Sequence, residues 1–283
     1  MPRNNNLRTQ STPPKEKVPP KQPQPQSVQS ILDFVIPTEH VELPSRGKFY
    51  SSEHPLYNNE SVEIKYISAK ELDILTSESL LKKGIAIDRM IQSILVDPEI
   101  EVEDLYIGDK NAILVSSRVG SFGSDYPAEF VCESCAEQIS HTFDLSSLIH
   151  KGAVEDDMEI SENGTFFIEL PQTKVMAECR LLTSKDDKLM DKLKVRNKKL
   201  GLSAPGLSDQ YKLFIVSLNG ITDRGLVDEF VNVMPVNDLH YLSKSYETIR
   251  PDLDLSEVVV CEKCDVENNV TLPFTANFFW PEQ

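Results

Sequence analysis

The sequence predicts an α+β fold of mostly short helices with small sheets, joined by a split four-cysteine ribbon that ties distant parts of the chain together. Three observations predict it. Cys132-Glu133-Ser134-Cys135 is echoed by Cys261-Glu262-Lys263-Cys264, each between apolar, β-prone residues. Short stretches such as Val62-Glu63-Ile64-Lys65-Tyr66-Ile67 alternate at period two, as half-buried strands do. Stretches such as Ile87, Met90, Ile91, Ile94 and Leu95 repeat at helical spacing, and each soon meets a Gly or Pro.

The cysteine pairs carry the most specific signal. Phe130 and Val131 precede the first, and Ile139, Thr142 and Phe143 follow it. Val258, Val259 and Val260 precede the second; Val266, Val270, Leu272 and Phe274 follow. A two-residue spacer lets adjacent thiols reach one ion, and Zn²⁺ takes four thiolates tetrahedrally at about 2.3 Å. Cys132, Cys135, Cys261 and Cys264 therefore read as the ligands of one structural zinc in a split zinc ribbon. The spacing between the pairs is unusual, because common ribbons place roughly 15–20 residues there. Closing the loop of about 125 residues from Ala136 to Val260 costs about 4 kcal/mol in chain entropy. Apparent zinc binding in finger peptides is about 10–16 kcal/mol, so binding outweighs closure and the loop reads as a folded insertion. Two disulfides, a redox dithiol or unrelated buried cysteines remain alternatives; the lack of a secretory signal disfavours disulfides. Cys179 has no partner near it in sequence and reads as a small buried residue.

A chain of 283 residues can bury one substantial core or two. No stretch is long and apolar enough to span a membrane, and the N-terminus lacks a signal-peptide core. A soluble protein made in the cytoplasm is the expectation. Formal net charge is −16. Met1 to Gln26 carry Arg3, Arg8, Lys15, Lys17 and Lys21 against Glu16 alone, a surplus of four positive charges that leaves the remainder at −20. So acidic a body repels phosphate backbones, which disfavours nucleic acid as a partner.

Taken in order, residues 1–27 form a disordered Pro-rich tail, with Pro13-Pro14, Pro19-Pro20, Pro23 and Pro25 excluding helix. An N-terminal α+β region spans 28–131. Val28–Val35 reads as a short helix or strand. Val41 and Leu43 alternate with polar neighbours, Pro44 and Gly47 bracket a turn, and Phe49 and Tyr50 re-enter apolar surroundings. Ser68 caps a helix, with Glu71 completing a capping box. Ser77 to Leu81 begins a helix that Gly84 ends. The Ile87–Leu95 helix stops at Asp97-Pro98. Asp109 to Val119 is a further helix that Gly120 and Gly123 break. Gly120-Ser121-Phe122-Gly123 lacks the Lys and spacing of a phosphate loop and reads as a turn.

The first zinc knuckle spans 132–150 and an α+β insertion spans 151–257. Within the insertion, Glu159–Ile168 and Thr173–Leu182 read as strands, with Asn163-Gly164 as a hairpin turn signal. Ser184 with Asp187 caps a charged helix whose Lys192, Lys194, Arg196, Lys198 and Lys199 read as a solvated face. Gly201 to Gly206 is a loop. Tyr211, Phe214, Ile215 and Leu218 give a helix from Ser208 to Gly220. Val227, Phe230 and Val231 give another, and Asn237 caps the next, which runs to Pro251. The second zinc knuckle and an aromatic C-terminus occupy 258–283. There Phe278, Phe279 and Trp280 either dock beside the ribbon or anchor a partner.

Catalytic patterns are missing from the sequence. His40, His54, His141, His150 and His240 form no motif, and no Gly-x-Ser-x-Gly elbow occurs. Four thiolates leave a zinc ion no open position, so the site reads as structural and the chain as no enzyme.

The motifs have a recognisable order: Leu43-Pro44-Ser45-Arg46-Gly47-Lys48-Phe49-Tyr50, then Leu81-Lys82-Lys83-Gly84 with the Ile87–Leu95 helix. Gly108-Asp109-Lys110 follows, leading to Arg118 and Gly123, then the first cysteine pair, and Phe278-Phe279-Trp280-Pro281 closes the chain. This order resembles the baseplate hub assembly proteins of T-even-type contractile-tailed phages, over Val41 to Leu148 and the C-terminus. The resemblance implies a virus-encoded, non-enzymatic baseplate protein, with other phage tail and baseplate hub proteins as partners. It implies host cytoplasm during assembly, and the virion tail baseplate, as its locations. A zinc-ribbon nucleic-acid-binding or transcription-type regulator is the alternative, and salt-sensitive binding would mark it. A redox or metal enzyme is a third reading, which requires an accessible thiol or an open metal position.

Overall fold

Alternation at Val62 and Ile64 produces the first sheet. The computed structural model describes residues 37–148, 150–152, 158–201, 203–272, 274 and 276–279. The Pro-rich tail, the Val28–Val35 segment and Trp280 lie outside the described residues. Strand β1 (Thr38–Glu42) pairs antiparallel with β2 (Ser61–Lys65), placing Val41 opposite Val62. Val41, Val62 and Ile64 are buried in one core with Leu43 and Tyr50. Helix α1 (Ala69–Thr76) begins at the expected Ser68–Glu71 capping box. Helix α2 (Glu78–Lys82) ends before Gly84, whose φ is +68°. Helix α3 (Ala86–Ile94) buries Met90, Ile91 and Ile94 completely, as its periodicity requires.

Helix α4 (Ile107–Phe122) is longer than the sequence suggests. Gly120 does not break it. A Cβ there would lie 2.6 Å from the Tyr66 ring, so glycine serves packing rather than termination. The Gly120–Gly123 stretch is therefore the last turn of a helix that closes at Gly123, φ +88°. Strands β3 (Asp125–Val131) and β4 (Gln138–Asp144) then form the first knuckle hairpin.

The insertion leaves and returns through a short strand pair. Strand β5 (His150–Lys151) pairs with a strand at Asp252–Leu253, so backbone hydrogen bonds also close the long loop. Inside lies a three-stranded antiparallel sheet rather than a lone hairpin: β6 (Thr165–Glu169), β7 (Met176–Arg180) and β8 (Ile215–Leu218). Asn163-Gly164 turns the chain into β6 instead of joining β6 to β7. Gly164 has φ +75°, and a Cβ there would fall 1.7 Å from the Phe49 carbonyl oxygen.

Three helix boundaries differ from expectation for local reasons. Helix α5 (Ser184–Lys199) is capped by Thr183 with Asp186, one residue earlier than Ser184 with Asp187. The Tyr211–Leu218 repeat divides into α6 (Leu207–Phe214) and β8, because burial at Ile215, Ser217 and Leu218 is met by pairing with β7. Tertiary pairing overrides the helical spacing there. Helix α7 (Arg224–Val233) matches its apolar pattern. Helix α8 (Val236–Ile249) starts after Pro235, and Asn237 lies in its first turn instead of capping it. Strand β9 (Asp252–Leu253) returns the chain to the second knuckle hairpin, β10 (Ser256–Val260) with β11 (Glu267–Thr271).

The buried side chains form two clusters. One gathers β1, β2, α1, α3, α4 and the C-terminal aromatics; the other gathers the insertion sheet with α6, α7 and α8. Neighbouring residues of one loop enter both: Tyr50 joins the first, while Phe49 joins the second and meets Phe166 edge-on at 6.0 Å. Cys179 is fully buried in the second cluster, where burial pushes its thiol up to about 12. Phe278 and Phe279 dock in the first cluster, in a 3₁₀ turn at Ala276–Phe279. Arg118 fastens them: its fully buried guanidinium donates to the carbonyls of Phe278 (2.7 Å), Gly123 (2.7 Å) and Asp125 (3.1 Å).

Candidate metal centre

Each knuckle is built by the same local geometry. In the first, the Cys132 N–H donates to the Glu137 carbonyl at 2.8 Å and the Ala136 N–H donates to the Cys132 carbonyl at 3.0 Å. In the second, the Cys261 N–H donates to the Val266 carbonyl at 3.0 Å and the Asp265 N–H to the Cys261 carbonyl at 2.9 Å. Ala136 and Asp265, each just after the second cysteine, take left-handed φ values of 57° and 55°. Few non-glycine residues sit there without a structural reason. Here the reversal turns each chain back towards the second strand of its hairpin, β4 or β11.

The two knuckles bring their sulfurs together across most of the chain length. The four Sγ atoms of Cys132, Cys135, Cys261 and Cys264 all lie within 4.8 Å of one another. Cys132 faces Cys264 at 3.7 Å and Cys135 faces Cys261 at 3.7 Å. These separations far exceed the roughly 2.05 Å of a disulfide, so the sulfurs are unbonded. A regular tetrahedron with metal–sulfur distances of about 2.3 Å has edges of about 3.8 Å. The cluster therefore has the donor type and number of a tetrahedral thiolate site, two of its separations match the tetrahedral edge and none exceeds 4.8 Å.

The surroundings favour thiolate at part of the cluster and strain it elsewhere. Backbone N–H groups of Cys135 and Ser134 aim at Cys132 and draw its thiol down to about 6. At Cys264 the Val266 N–H acts the same way, but desolvation and the three neighbouring sulfurs prevail and push the thiol up to about 12. Cys135 is likewise raised, against the pull of the Glu137 N–H. Four sulfurs this close cannot all ionise without a compensating cation.

Two contacts across the knuckles escape sequence reasoning. The Glu133 N–H donates to Asn268 Oδ1 at 3.1 Å, and Asn268 Nδ2 donates to the Val266 carbonyl at 3.0 Å. Asn268 is buried at the position where the first knuckle has Ile139, so the departure from the echo was its signal. Lys263 pairs with Glu137 from the opposite knuckle. His141 stays out of the cluster. It faces Glu257 at 3.3 Å and meets Phe143 edge-on.

A second polar node, Asp109, anchors the fold near the loop that enters both cores. Its buried carboxylate accepts from the Ser45 N–H (3.0 Å), Ser45 Oγ (2.6 Å) and Tyr50 OH (2.8 Å). Burial raises its pKa, while Ser45 and Tyr50 act against the rise. The remaining histidines do not converge on it. His54 stacks on Tyr50 at 4.3 Å, His40 and His150 line one shallow cavity with Glu42 and Glu60, and His240 is exposed. Among the described residues, no helix is long and apolar enough to cross a membrane.

Comparison with known proteins agrees with the motif order. Searches of curated proteins and of solved structures returned no match. The family model described as T4 bacteriophage base plate protein matches residues 36–280, which takes in the insertion as well as both knuckles. With most of its length matched, the chain belongs to the T4 bacteriophage base plate protein family.

Proposed function

We propose that this protein acts in assembling or forming the central hub of the phage tail baseplate, by protein–protein contact and without catalysis. The observation that carries the reading is the family match across both knuckles and the insertion. Membership implies other phage tail proteins as partners and association with the virion tail; baseplate hub proteins as the immediate partners, and the host cytoplasm as the place of assembly, are parts of this proposal. Cys132, Cys135, Cys261 and Cys264 are proposed to hold one structural zinc ion. The supporting geometry is the pair of 3.7 Å sulfur separations, close to the tetrahedral edge. Four thiolates saturate zinc, so the ion's contribution is to cross-link the two hairpins rather than to activate water.

The test is mass spectrometry of purified virions beside a pull-down from infected cells. Co-purification with hub components, in either sample, is the expected result. Absence from virions together with a pull-down free of tail proteins would overturn the proposal.

A further inference from the structure

Helix α5 leaves the body of the protein half way along its length. Its first turns are embedded: the Ser184 N–H donates to the Leu105 carbonyl at 2.9 Å, and Lys188 bridges Asp88 (2.7 Å) and Glu103 (3.0 Å). Met190 is its last buried residue. From Asp191 to Lys199 the helix runs on for about 14 Å with no buried side chain. That stretch carries Lys192, Lys194, Arg196, Lys198 and Lys199 against Asp191 alone, on a chain of net charge −16. Val195 within that stretch is exposed, as are Leu189 (43%) and Leu200 (63%) at its two ends, and Leu193 is half-buried. Leu189, Leu193 and Leu200 fall at i, i+4 and i+11, which places them on one stripe of the helix.

An unpacked helical half with an apolar stripe is marginal alone and gains stability when covered. The charge pattern indicates what covers it. Glu99, Glu101, Glu103 and Asp104 form an exposed acidic ridge, and the Glu103 carbonyl accepts from the Lys185 N–H at 3.0 Å, which sets one part of that ridge beside the embedded start of α5. Glu103 already serves Lys188, and Lys194 pairs with Asp191 at 2.9 Å. Lys192 also acts on Glu103, and Asp104 on His54. Glu99 and Glu101, and at the other end Arg196, Lys198 and Lys199, have no such charge partner among the described residues and are exposed. One end of α5 is thus acidic and the other basic, about 22 Å apart. Two copies laid antiparallel along α5 set each basic end on the other's acidic ridge and bury the two leucine stripes against each other. Such a contact is self-complementary under a two-fold axis, as isologous dimers require.

We propose that α5 is a homodimerisation helix, docking on the α5 and acidic ridge of a second copy of this chain. The inference needs neither the metal nor a baseplate partner, so it stands or falls apart from the function proposed above.

The experiment is sedimentation velocity of the full-length protein at about 50 mM and about 500 mM salt, since screening shortens the reach of exposed charges from over 10 Å to a few Å. A dimer that loosens with salt is expected. Arg196→Glu/Lys199→Glu, on the side of α5 that flanks the leucine stripe, and Glu99→Lys/Glu101→Lys should each weaken self-association by at least about tenfold, with circular dichroism unchanged. Mixing the two variants should restore the dimer, because both contacts of the heterodimer again pair opposite charges. A monomer at all salt concentrations would overturn the proposal, as would a dimer indifferent to both reversals. Retention of duplex DNA by a monomer, lost in Arg196→Glu/Lys199→Glu, would make α5 a nucleic-acid surface and overturn it equally.

Discussion

Replacing Arg118 by Met tests how the C-terminal aromatics are held. Arg118 is fully buried, and its guanidinium donates to three carbonyls, those of Phe278, Gly123 and Asp125. It also lies 5.3 Å from the centre of the Phe122 ring. Met preserves much of the aliphatic stem, so the substitution isolates the polar contacts. Hydrogen bonds to charged groups are worth about 1.5–3 kcal/mol each, which sets a ceiling well above the net effect. Relief of the buried guanidinium charge returns several kcal/mol of desolvation. Burial indeed lowers the pKa of Arg118. The Gly123 and Asp125 backbones are accessible enough to take water in exchange, whereas the Phe278 carbonyl belongs to a buried residue. That one stranded acceptor, plus the lost cross-link between α4 and the chain end, gives a net loss of about 2–4 kcal/mol. Urea unfolding of the full chain measures it, and hydrogen exchange at Phe278 and Phe279 localises it. Stability within about 0.5 kcal/mol of the parent, with unchanged exchange, would refute the clasp.

Three further predictions follow from the remaining polar nodes. Asp109→Ala strands the Ser45 N–H, Ser45 hydroxyl and Tyr50 hydroxyl, and should cost about 3–5 kcal/mol in urea unfolding; a loss under about 1 kcal/mol would mean that the loop is held by packing alone. Cys132→Ser or Cys261→Ser should lower metal affinity more than about 100-fold, beyond what outer contacts contribute, and expose both knuckle hairpins together to hydrogen exchange; protection lost in only one hairpin would exclude a shared site. Asp186 supplies an acid-sensitive contact. Burial opposes its ionisation, but the Arg180 guanidinium at 2.7 Å and the Thr183 N–H hold its folded pKa below the ordinary value. Its contribution is therefore present above the unfolded value of about 3.9 and is lost as pH falls through the folded value. Asp186→Asn should lower stability at pH 7 and flatten this acid limb of the denaturant midpoint against pH; an unchanged limb would assign it to other carboxylates.

Local chemistry explains which parts of this fold can be read from sequence. The capping box at Ser68 and Glu71, the α3 stripe and the two knuckles depend on residues within a few positions of one another. The convergence of the knuckles was legible because the two cysteine pairs repeat one spacing between the same β-prone flanks, as two half-sites of one cluster do. Contacts set by distant partners were not legible. Gly120 reads as a helix breaker until the Tyr66 ring appears beside it. Ile215 to Leu218 continue a helical repeat until the free edge of β7 claims them. Asp109 looks like an N-terminal helix acid, and nothing in its neighbourhood announces Ser45 or Tyr50 as donors. The family match extends through the insertion, beyond the motifs that first suggested the relationship.

The central claim is that one metal ion joins two distant thiol pairs. The most direct test is X-ray absorption on the purified full-length protein, combined with native thiol titration before and after chelation. Zinc at one equivalent, with four sulfurs at about 2.3 Å and four thiols that react only once the metal is removed, is the predicted result. A metal-free protein whose knuckles remain folded with all four thiols reactive would contradict it.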